Sequence, residues 1–180
     1  MTRCLITVWF CVIAVGALTA AEESNGVFPN VAGRSLQGNE IKFPQALAGK
    51  DHNLVIVAFT RKQQAMIDTW LPELAQLAGS NKDFGYYELP TIKKMNRVMK
   101  WVIYRGMRSG IKDADTRART ITLHIDKEPF KNQLGIKTEE DIFLFLTDNQ
   151  GKIRWRTRGM FSKLKFRMLK SRVQKSAKID

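Results

Sequence analysis

The arginines that follow Tyr104 are the side chains of this sequence best suited to bind an anionic group. The segment YRGMRSGIKDADTRART carries Lys112 and four arginines, and two glycines interrupt it. A guanidinium group can bind a carboxylate or a phosphate through two parallel hydrogen bonds. The alternative is a solvated loop in which these cations pair with Asp113 and Asp115. The candidates for contact with a partner or a lipid headgroup are Arg105, Arg108, Arg117 and Arg119.

A second candidate anion site follows the apolar run LVIVAF, in the segment TRKQQA. Arg61 and Lys62 lie where a predicted strand passes into a predicted helix, and backbone N–H groups at such a point can bind an anion. The alternative is a solvated helix terminus, at which two cations oppose the helix dipole. Both interpretations stay open for this pair.

Metal, phosphate-loop and hydrolytic sites are not predicted. The sequence has two histidines, His52 and His124, and a single histidine on a strand is more often packed or exposed than a metal ligand. It contains no glycine-rich phosphate loop, no GxSxG and no HExxH motif. The acidic residues 139–141 are interpreted as a solvated loop. We expect no catalytic residue, no metal and no cofactor, and we leave open whether the chain is an enzyme.

The hydrophobic pattern predicts a single α/β domain that would position these residues. The apolar run from Leu54 to Phe59 favours a central strand buried on both faces. The helix predicted next, over residues 62–79, should be kinked at Pro72, because proline lacks a backbone donor. Alternating strands and helices indicate parallel strands covered by helices. The other predicted elements are strands over 27–31, 40–43, 84–89 and 120–125, a short helix closed by Gly135, a hairpin over 142–157 and a basic helix over 162–178.

A further helix is predicted over residues 91–105, with two open interpretations of its surface. Val98, Met99 and Val102 fall on a stripe that we expect to face the core, and Trp101 falls on the basic flank. An exposed tryptophan beside lysines is typical of a helix that lies on a membrane surface. The alternative, which we favour here, is a tryptophan that packs on a neighbouring element.

The charge of the chain indicates an anionic partner. Among 180 residues there are 30 Lys and Arg against 17 Asp and Glu, which gives a net charge of +13. A basic surface suits lipid, nucleic acid or an acidic protein. We expect a protein partner, with a membrane complex and an anionic lipid surface left open. Nucleic acid is not expected, because no recognition motif or stacking platform is visible.

The N-terminus has the order of a secretory signal peptide. In MTRCLITVWFCVIAVGALTAAEES one cation precedes an apolar run, and small residues follow before the chain turns polar at Glu22. We predict a signal peptide at residues 1–21, a domain over 22–162 and a basic C-terminal helix and tail over 163–180. This predicts export, to the periplasm, with membrane association and cleavage of the leader left open.

Both cysteines, Cys4 and Cys11, lie within this leader. If the leader is removed, the mature chain has no thiolate, and a thiolate is the group that attacks disulfides and peroxides. The mature protein is therefore expected to be redox-inactive and to depend on its core for stability.

The order of elements resembles the thioredoxin-like superfamily in its exported, peroxiredoxin-like form. In that family a strand ends in Phe, a CxxC pair begins five residues later, and a helix-kinking proline follows. Counted from Phe59, the two cysteine positions hold Gln64 and Ile67, and the proline is present as Pro72. The family's cis-proline position falls near Asp141. The resemblance implies an α/β fold with a central mixed sheet flanked by helices, closed by an antiparallel hairpin and a C-terminal helix.

Within this superfamily, the segment DIFLFLTDNQGKIRWRTRG is also similar to the mitochondrial ATP-synthase assembly factors. The similarity rests on Ile153, Arg154 and Trp155 after a short turn. It implies a chaperone without a redox pair, and an exported assembly factor that binds a protein at or near a membrane is our first hypothesis. The alternative is an enzyme or anion-binding protein with a re-purposed site at the former CxxC loop.

Overall fold

The computed structural model of the chain describes residues 26–93 and 97–176. The predicted signal peptide, with Cys4 and Cys11, lies outside the described residues, as do the last four residues of the predicted basic tail. None of the described helices is both long enough and apolar enough to cross a membrane.

The described residues form seven strands and six α-helices. The strands are β1 Val31–Ser35, β2 Glu40–Phe43, β3 His52–Ala58, β4 Phe84–Lys93, β5 Ile121–Ile125, β6 Phe143–Thr147 and β7 Ile153–Arg158. The helices are α1 Gln64–Asp68, α2 Leu71–Ser80, α3 Arg97–Gly110, α4 Ala114–Arg119, α5 Lys127–Gln133 and α6 Lys163–Ser176. Two short 3-10 helices, Gln45–Gly49 and Arg61–Gln63, precede β3 and α1.

The strands form one mixed sheet in the order β2-β1-β5-β4-β3-β6-β7. Strand β3 pairs in parallel with β4, and β4 pairs in parallel with β5. Strands β6 and β7 complete one edge as the predicted antiparallel hairpin. All seven residues of β3 are buried, which agrees with the continuous apolar run in its sequence.

Helices bury apolar residues on both faces of this sheet. On one face, Trp70 and Trp155 are fully buried with residues of α2 and α6, and the Trp70 Nε1–H donates to the Gly159 carbonyl at 3.0 Å. On the other face, Phe28, Phe43 and Phe145 form an aromatic cluster that includes Phe130 of α5. The α/β architecture with a central mixed sheet is therefore as the sequence predicts.

Two differences from the predicted boundaries lie at prolines. The helix predicted over 62–79 is divided into α1 and α2, and Pro72 lies in the first turn of α2, where a missing backbone donor costs nothing. Strand β4 continues through Pro90 to Lys93, although we expected the strand to end before this proline. Because β4 takes residues 91–93, α3 begins at Arg97, later than predicted.

The two other differences concern one strand and one helix. The first strand lies at Val31–Ser35 and not at 27–31, while Val27 forms an isolated bridge with Lys152. Helix α4 is not among the elements predicted from the sequence. It begins after Asp113, whose carboxylate accepts a hydrogen bond from the Thr116 backbone N–H at 2.6 Å. An aspartate in this position is a common N-cap, so the signal was present in the sequence.

The predicted orientation of α3 is wrong. Val98, Met99 and Val102 are exposed, although the pattern indicated that they face the core. The helix contacts the rest of the protein through its other side, where the Tyr104 hydroxyl donates to the Leu36 carbonyl at 3.0 Å. Met107 lies on the same side, and its Sδ accepts a hydrogen bond from Thr122.

Candidate functional site

The candidate site lies where β3 ends and the chain passes into the 3-10 helix Arg61–Gln63 and α1. We call it the junction site and define it by Gln63, Gln64, Glu88 and Arg119. Strand β4 supplies Glu88, which pairs in register with Ile56 of β3, and α4 ends at Arg119. Gln64, Glu88 and Arg119 come from three separate parts of the sequence and interact with one another, and Gln63 precedes Gln64 in the chain.

Gln63 holds the backbone of the junction site together. Its Oε1 accepts hydrogen bonds from the backbone N–H groups of Phe59, at 2.7 Å, and Thr60, at 3.1 Å. Its Nε2 donates to the carbonyls of Glu139, at 2.7 Å, and Asp141, at 2.9 Å. The side chain is buried. One amide thus joins the end of β3 to the loop in which the thioredoxin-like pattern would place its cis-proline.

Glu88 places a carboxyl group inside the fold. Its side chain follows Phe84 and Tyr86 on the face of β4 that shares its core with α2 and α6. The residue is only 2% exposed. Burial raises the pKa of Glu88, and the neighbouring Asp68 adds to this, while Arg119 and a hydrogen bond from the Gln64 side chain oppose it. Among the described residues, its Oε1 has no hydrogen-bond partner. A buried acid of this kind keeps its proton to a higher pH than a carboxyl group in water does.

Arg119 supplies the cation beside this carboxyl group. Its guanidinium lies over the ring of Tyr86, 4.5 Å from the ring centroid, and Nη2 donates to Thr116 Oγ1 at 2.7 Å. The Nε atom is buried, and within the described part of the chain it has no hydrogen-bond acceptor. The site therefore holds an unused buried donor and an unused buried acceptor of opposite charge.

The two positions that the resemblance assigns to a redox pair have different surroundings. Gln64 is exposed and donates to Asp68 Oδ1 at 2.9 Å as well as to Glu88. Ile67 is buried in the core with Trp70 and Leu74. The first position thus presents an amide to solvent, and the second contributes only to packing.

Arg61 and Lys62, the predicted anion-binding pair, are exposed in the 3-10 helix that follows β3. A third cation lies close by, because Lys127 Nζ is 5.6 Å from the ring centroid of Phe59. Lys127 is paired with Glu139 at 2.5 Å. Burial would raise the pKa of Glu139, but hydrogen bonds from Lys127 and Lys131 outweigh burial and lower it. The surface around the junction site therefore carries the cations Arg61, Lys62 and Lys127 together with the acids Asp68 and Glu139.

The four arginines of the predicted cluster have different environments. Arg119 belongs to the junction site, where Arg119 and Gln64 both act to lower the pKa of Glu88. Arg117 donates to the carbonyls of Ile111, at 3.1 Å, and Lys112, at 3.0 Å, so it stabilises its own loop. Arg105 and Arg108 are exposed on α3. The alternative of pairing with Asp113 holds in part, since Arg119 Nη2 lies 4.0 Å from Asp113 Oδ2.

Two residues of the junction site were missed by the sequence analysis. Glu88 had a visible signal, since it is a single acid within the apolar strand FGYYELP. Gln63 had none, because an amide in TRKQQA looks like a solvated residue until its four partners are known. Within residues 26–93 and 97–176, no three acidic, cysteine or histidine side chains are grouped so that they could hold a metal ion.

Comparison with protein families identifies the chain's relatives. The family model of the ATP10 protein matches residues 20–175. The chain belongs to the ATP10 protein family. None of the curated proteins compared with the chain matches it.

Solved structures show that this family member has a thioredoxin-like fold, as predicted. BsSco, a member of the Sco family of cytochrome c oxidase assembly proteins, matches with a TM-score of 0.59 and 11% identity over 89% of this chain and 99% of that chain. A thiol-disulfide oxidoreductase from Bacteroides fragilis NCTC 9343 matches with a TM-score of 0.50 and 14% identity over 81% and 98%. At these identities the likeness shows the fold alone.

Proposed function

We propose that this protein is an exported, redox-inactive assembly factor that binds a subunit of a membrane complex through the surface around its junction site. Membership of the ATP10 protein family is the observation that carries the proposal. The similarity of the segment around Trp155 to ATP-synthase assembly factors supports it, and makes an ATP synthase the first complex to test.

The residues at the former redox positions support a role without thiol chemistry. Neither Gln64 nor Ile67 can form a thiolate, and both cysteines of the sequence precede residue 12. The surrounding backbone is nevertheless fixed, since the Gln63 side chain makes four hydrogen bonds that join the end of β3 to the loop of residues 139–141. A rigid loop that presents cations suits binding of a protein better than exchange of disulfides, because preorganised groups lose less entropy on binding.

Charge supports an acidic segment of the client as the group bound. Arg61 and Lys62 are exposed after the end of β3, and Lys127 lies over the ring of Phe59, the residue that follows β3. Exposed cations of this kind contribute to the rate and specificity of association more than to affinity. The client subunit should therefore carry acidic side chains where it meets this surface.

Site-specific photo-crosslinking in intact cells tests the proposal. A photoreactive amino acid replaces Lys62 in one strain and the exposed Lys42 of β2 in a control strain. Lys62 should give an adduct with one subunit of a membrane complex, identified by mass spectrometry, and Lys42 should not. No adduct at Lys62, or the same adducts at both positions, would contradict the proposal.

A matched pair of charge reversals tests whether the contact matters for assembly. Lys62→Glu should lower the amount of the assembled complex on native gels, whereas Lys42→Glu makes the same change of net charge and should leave it unaltered. Equal effects of the two variants would indicate a response to net charge and not to the junction site.

A further inference from the structure

Helix α3 exposes a group of large apolar side chains at the surface of the domain. Seven large hydrophobic residues are well exposed in the described part of the chain, and four of them lie within five consecutive positions of α3. Their exposed fractions are 73% for Val98, 51% for Met99, 58% for Trp101 and 50% for Val102. We call this set the α3 surface. Contiguous apolar patches of this kind mark interaction sites.

The opposite side of α3 already has its partners. Tyr104 donates to the Leu36 carbonyl at 3.0 Å, and the guanidinium of Arg34 lies 5.4 Å from the centroid of its ring. Met107 accepts a hydrogen bond from Thr122 of β5. The helix is therefore fixed on the sheet by its inner side. On its outer side, Val98, Trp101 and Val102 are exposed to a contact from outside the domain.

The segment of sequence that contains α3 carries charges of one sign. Between Glu88 and Asp113 the sequence contains seven Lys and Arg and no Asp or Glu. Arg105 lies over the ring of Trp101, 5.2 Å from its centroid, and Arg108 is exposed one turn further along the helix. Apolar side chains between cations are complementary to a surface that offers both hydrocarbon and negative charge.

We propose that α3 lies on the surface of an anionic lipid bilayer, with the α3 surface inserted among the headgroups and Arg105 and Arg108 at the lipid phosphates. A tryptophan beside cations on one helix face suits this interface, because the indole ring is apolar with one polar end. The α3 surface is a single outward helix face and not a groove, which favours a bilayer over an acidic peptide. This inference deepens the proposed function, since it names the surface that would hold the protein near its client's membrane.

Fluorescence of Trp101 in the full chain provides the direct test. Trp70 and Trp155 are buried, so substitution of Trp9 by Phe leaves Trp101 as the reporter that can reach lipid. The Trp9→Phe protein is mixed with vesicles of equimolar phosphatidylglycerol and phosphatidylcholine that carry brominated acyl chains. The expected result is quenching of Trp101 with these vesicles and much less with phosphatidylcholine alone. A protein that binds the vesicles without quenching of Trp101 would overturn the proposal, because another segment would then make the contact.

Two matched pairs of variants separate the α3 surface from general basicity. Arg105→Gln with Arg108→Gln should weaken partitioning into the anionic vesicles about twenty-fivefold, from about fivefold per cation near such a surface. The control, Lys163→Gln with Lys170→Gln on the exposed side of α6, makes the same change of net charge.

The second pair tests the apolar side chains. Val98→Ser with Val102→Ser should weaken partitioning about tenfold, from the loss of apolar burial. Its control is Met160→Ser with Leu164→Ser, which are also exposed.

Equal losses in test and control pairs would overturn the proposal. So would α3 variants that keep vesicle binding but lose a crosslinked protein partner, because the α3 surface would then be a protein interface. The vesicles contain no client, so their outcome is independent of the crosslinking at Lys62. Either proposal can fail while the other stands.

Discussion

At the scale of single residues, Glu88 is the unusual feature of the molecule. A carboxyl group that is removed from water and has an oxygen without a partner lowers stability, so its presence calls for a reason beyond packing. It lies beside Gln64 and Arg119, at the place where the thioredoxin-like pattern positions its chemistry. Carboxyl groups with a perturbed pKa concentrate at functional sites, which makes Glu88 the strongest single candidate for a functional residue in this protein.

The pH dependence of stability should reveal this carboxyl group. Burial raises the pKa of Glu88 in the folded chain above its ordinary value of 4.5. The folded state then binds more protons than the unfolded state, so stability is lost as pH rises from about 4.5 through the folded-state pKa. Glu88→Gln removes this loss. Its free energy of unfolding, measured by urea denaturation, should therefore rise relative to the parent protein as the pH is raised above about 4.5.

The control for this measurement is Glu140→Gln, which removes an exposed carboxylate and should follow the parent protein at each pH. If the difference between Glu88→Gln and the parent stayed constant over the same range, the carboxyl group would not be titrating in the folded protein. The assignment of Glu88 as the perturbed acid of the junction site would then be wrong.

Gln63 should contribute far more to stability than a glutamine normally does. Gln63→Ala leaves two backbone N–H groups and two carbonyls without their partner. We expect a loss of about 2–4 kcal/mol in the free energy of unfolding, because unsatisfied buried polar groups cost about 1–3 kcal/mol each and water can reach some of them. The control is Gln133→Ala at the exposed end of α5, with an expected change below about 0.5 kcal/mol. Equal losses for the two variants would contradict the role assigned to Gln63.

The sequence could predict part of the junction site and not the rest. Spacing from Phe59 placed Gln64 and Ile67 where a redox pair would lie, because position along one strand and helix is local information. The meeting of Gln64, Glu88 and Arg119 depends on how β4 and α4 pack against α1, which local patterns do not contain. The same holds for Gln63, whose two carbonyl partners lie 76 and 78 residues away.

At the scale of elements, α3 shows where periodicity is ambiguous. Both sides of the helix carry residues that pack well, with Val98 and Val102 on one and Tyr104 and Met107 on the other. Periodicity identifies stripes but cannot say which stripe meets the sheet. The structure turns the side with a hydroxyl towards the domain, where Tyr104 donates to the Leu36 carbonyl. The strongly apolar β3 and the β6–β7 hairpin had no such ambiguity, and both were predicted correctly.

Removal of one hydroxyl should loosen α3 while the core stays intact. Tyr104→Phe loses the bond to Leu36, worth about 1 kcal/mol, which is one of the contacts that hold α3 against the domain. Hydrogen exchange, followed by mass spectrometry, should speed up in α3 and little elsewhere. Tyr87→Phe is the matched control, because it loses an equivalent bond to the Ala46 carbonyl at 3.0 Å and should affect the 3-10 helix Gln45–Gly49. Uniform acceleration in both variants would mean that α3 does not open as a separate unit.

At the scale of the whole molecule, the N-terminal hairpin joins parts of the chain that are distant in sequence. Strand β1 pairs with β5 through only two register positions, Arg34 with Thr122 and Ser35 with Ile121. The turn that follows β1 receives the hydroxyl of Tyr104, and Gln37 donates to the Ala114 carbonyl at 2.9 Å. The hairpin therefore supports α3 and α4 together, and through them both Arg119 and the α3 surface.

Gly33 is the position at which this connection can be tested. A Cβ atom there would lie 2.6 Å from Ile121 Cγ2 and 2.8 Å from the Thr122 carbonyl oxygen, and a backbone oxygen within a sheet cannot move aside. Gly33→Ala should lower the free energy of unfolding by about 1–3 kcal/mol through overpacking. Hydrogen exchange should also speed up in β5 and α3, since the hairpin would be displaced from both.

The control is Gly79→Ala in α2, where the added Cβ atom meets nothing within 4 Å. This variant should be neutral or slightly stabilising, because alanine is the better helix former. If Gly33→Ala destabilised the protein without a change of exchange in α3, the helix would be held by β5 alone. The hydrogen bond from Tyr104 to Leu36 would then not be what fixes α3 in position.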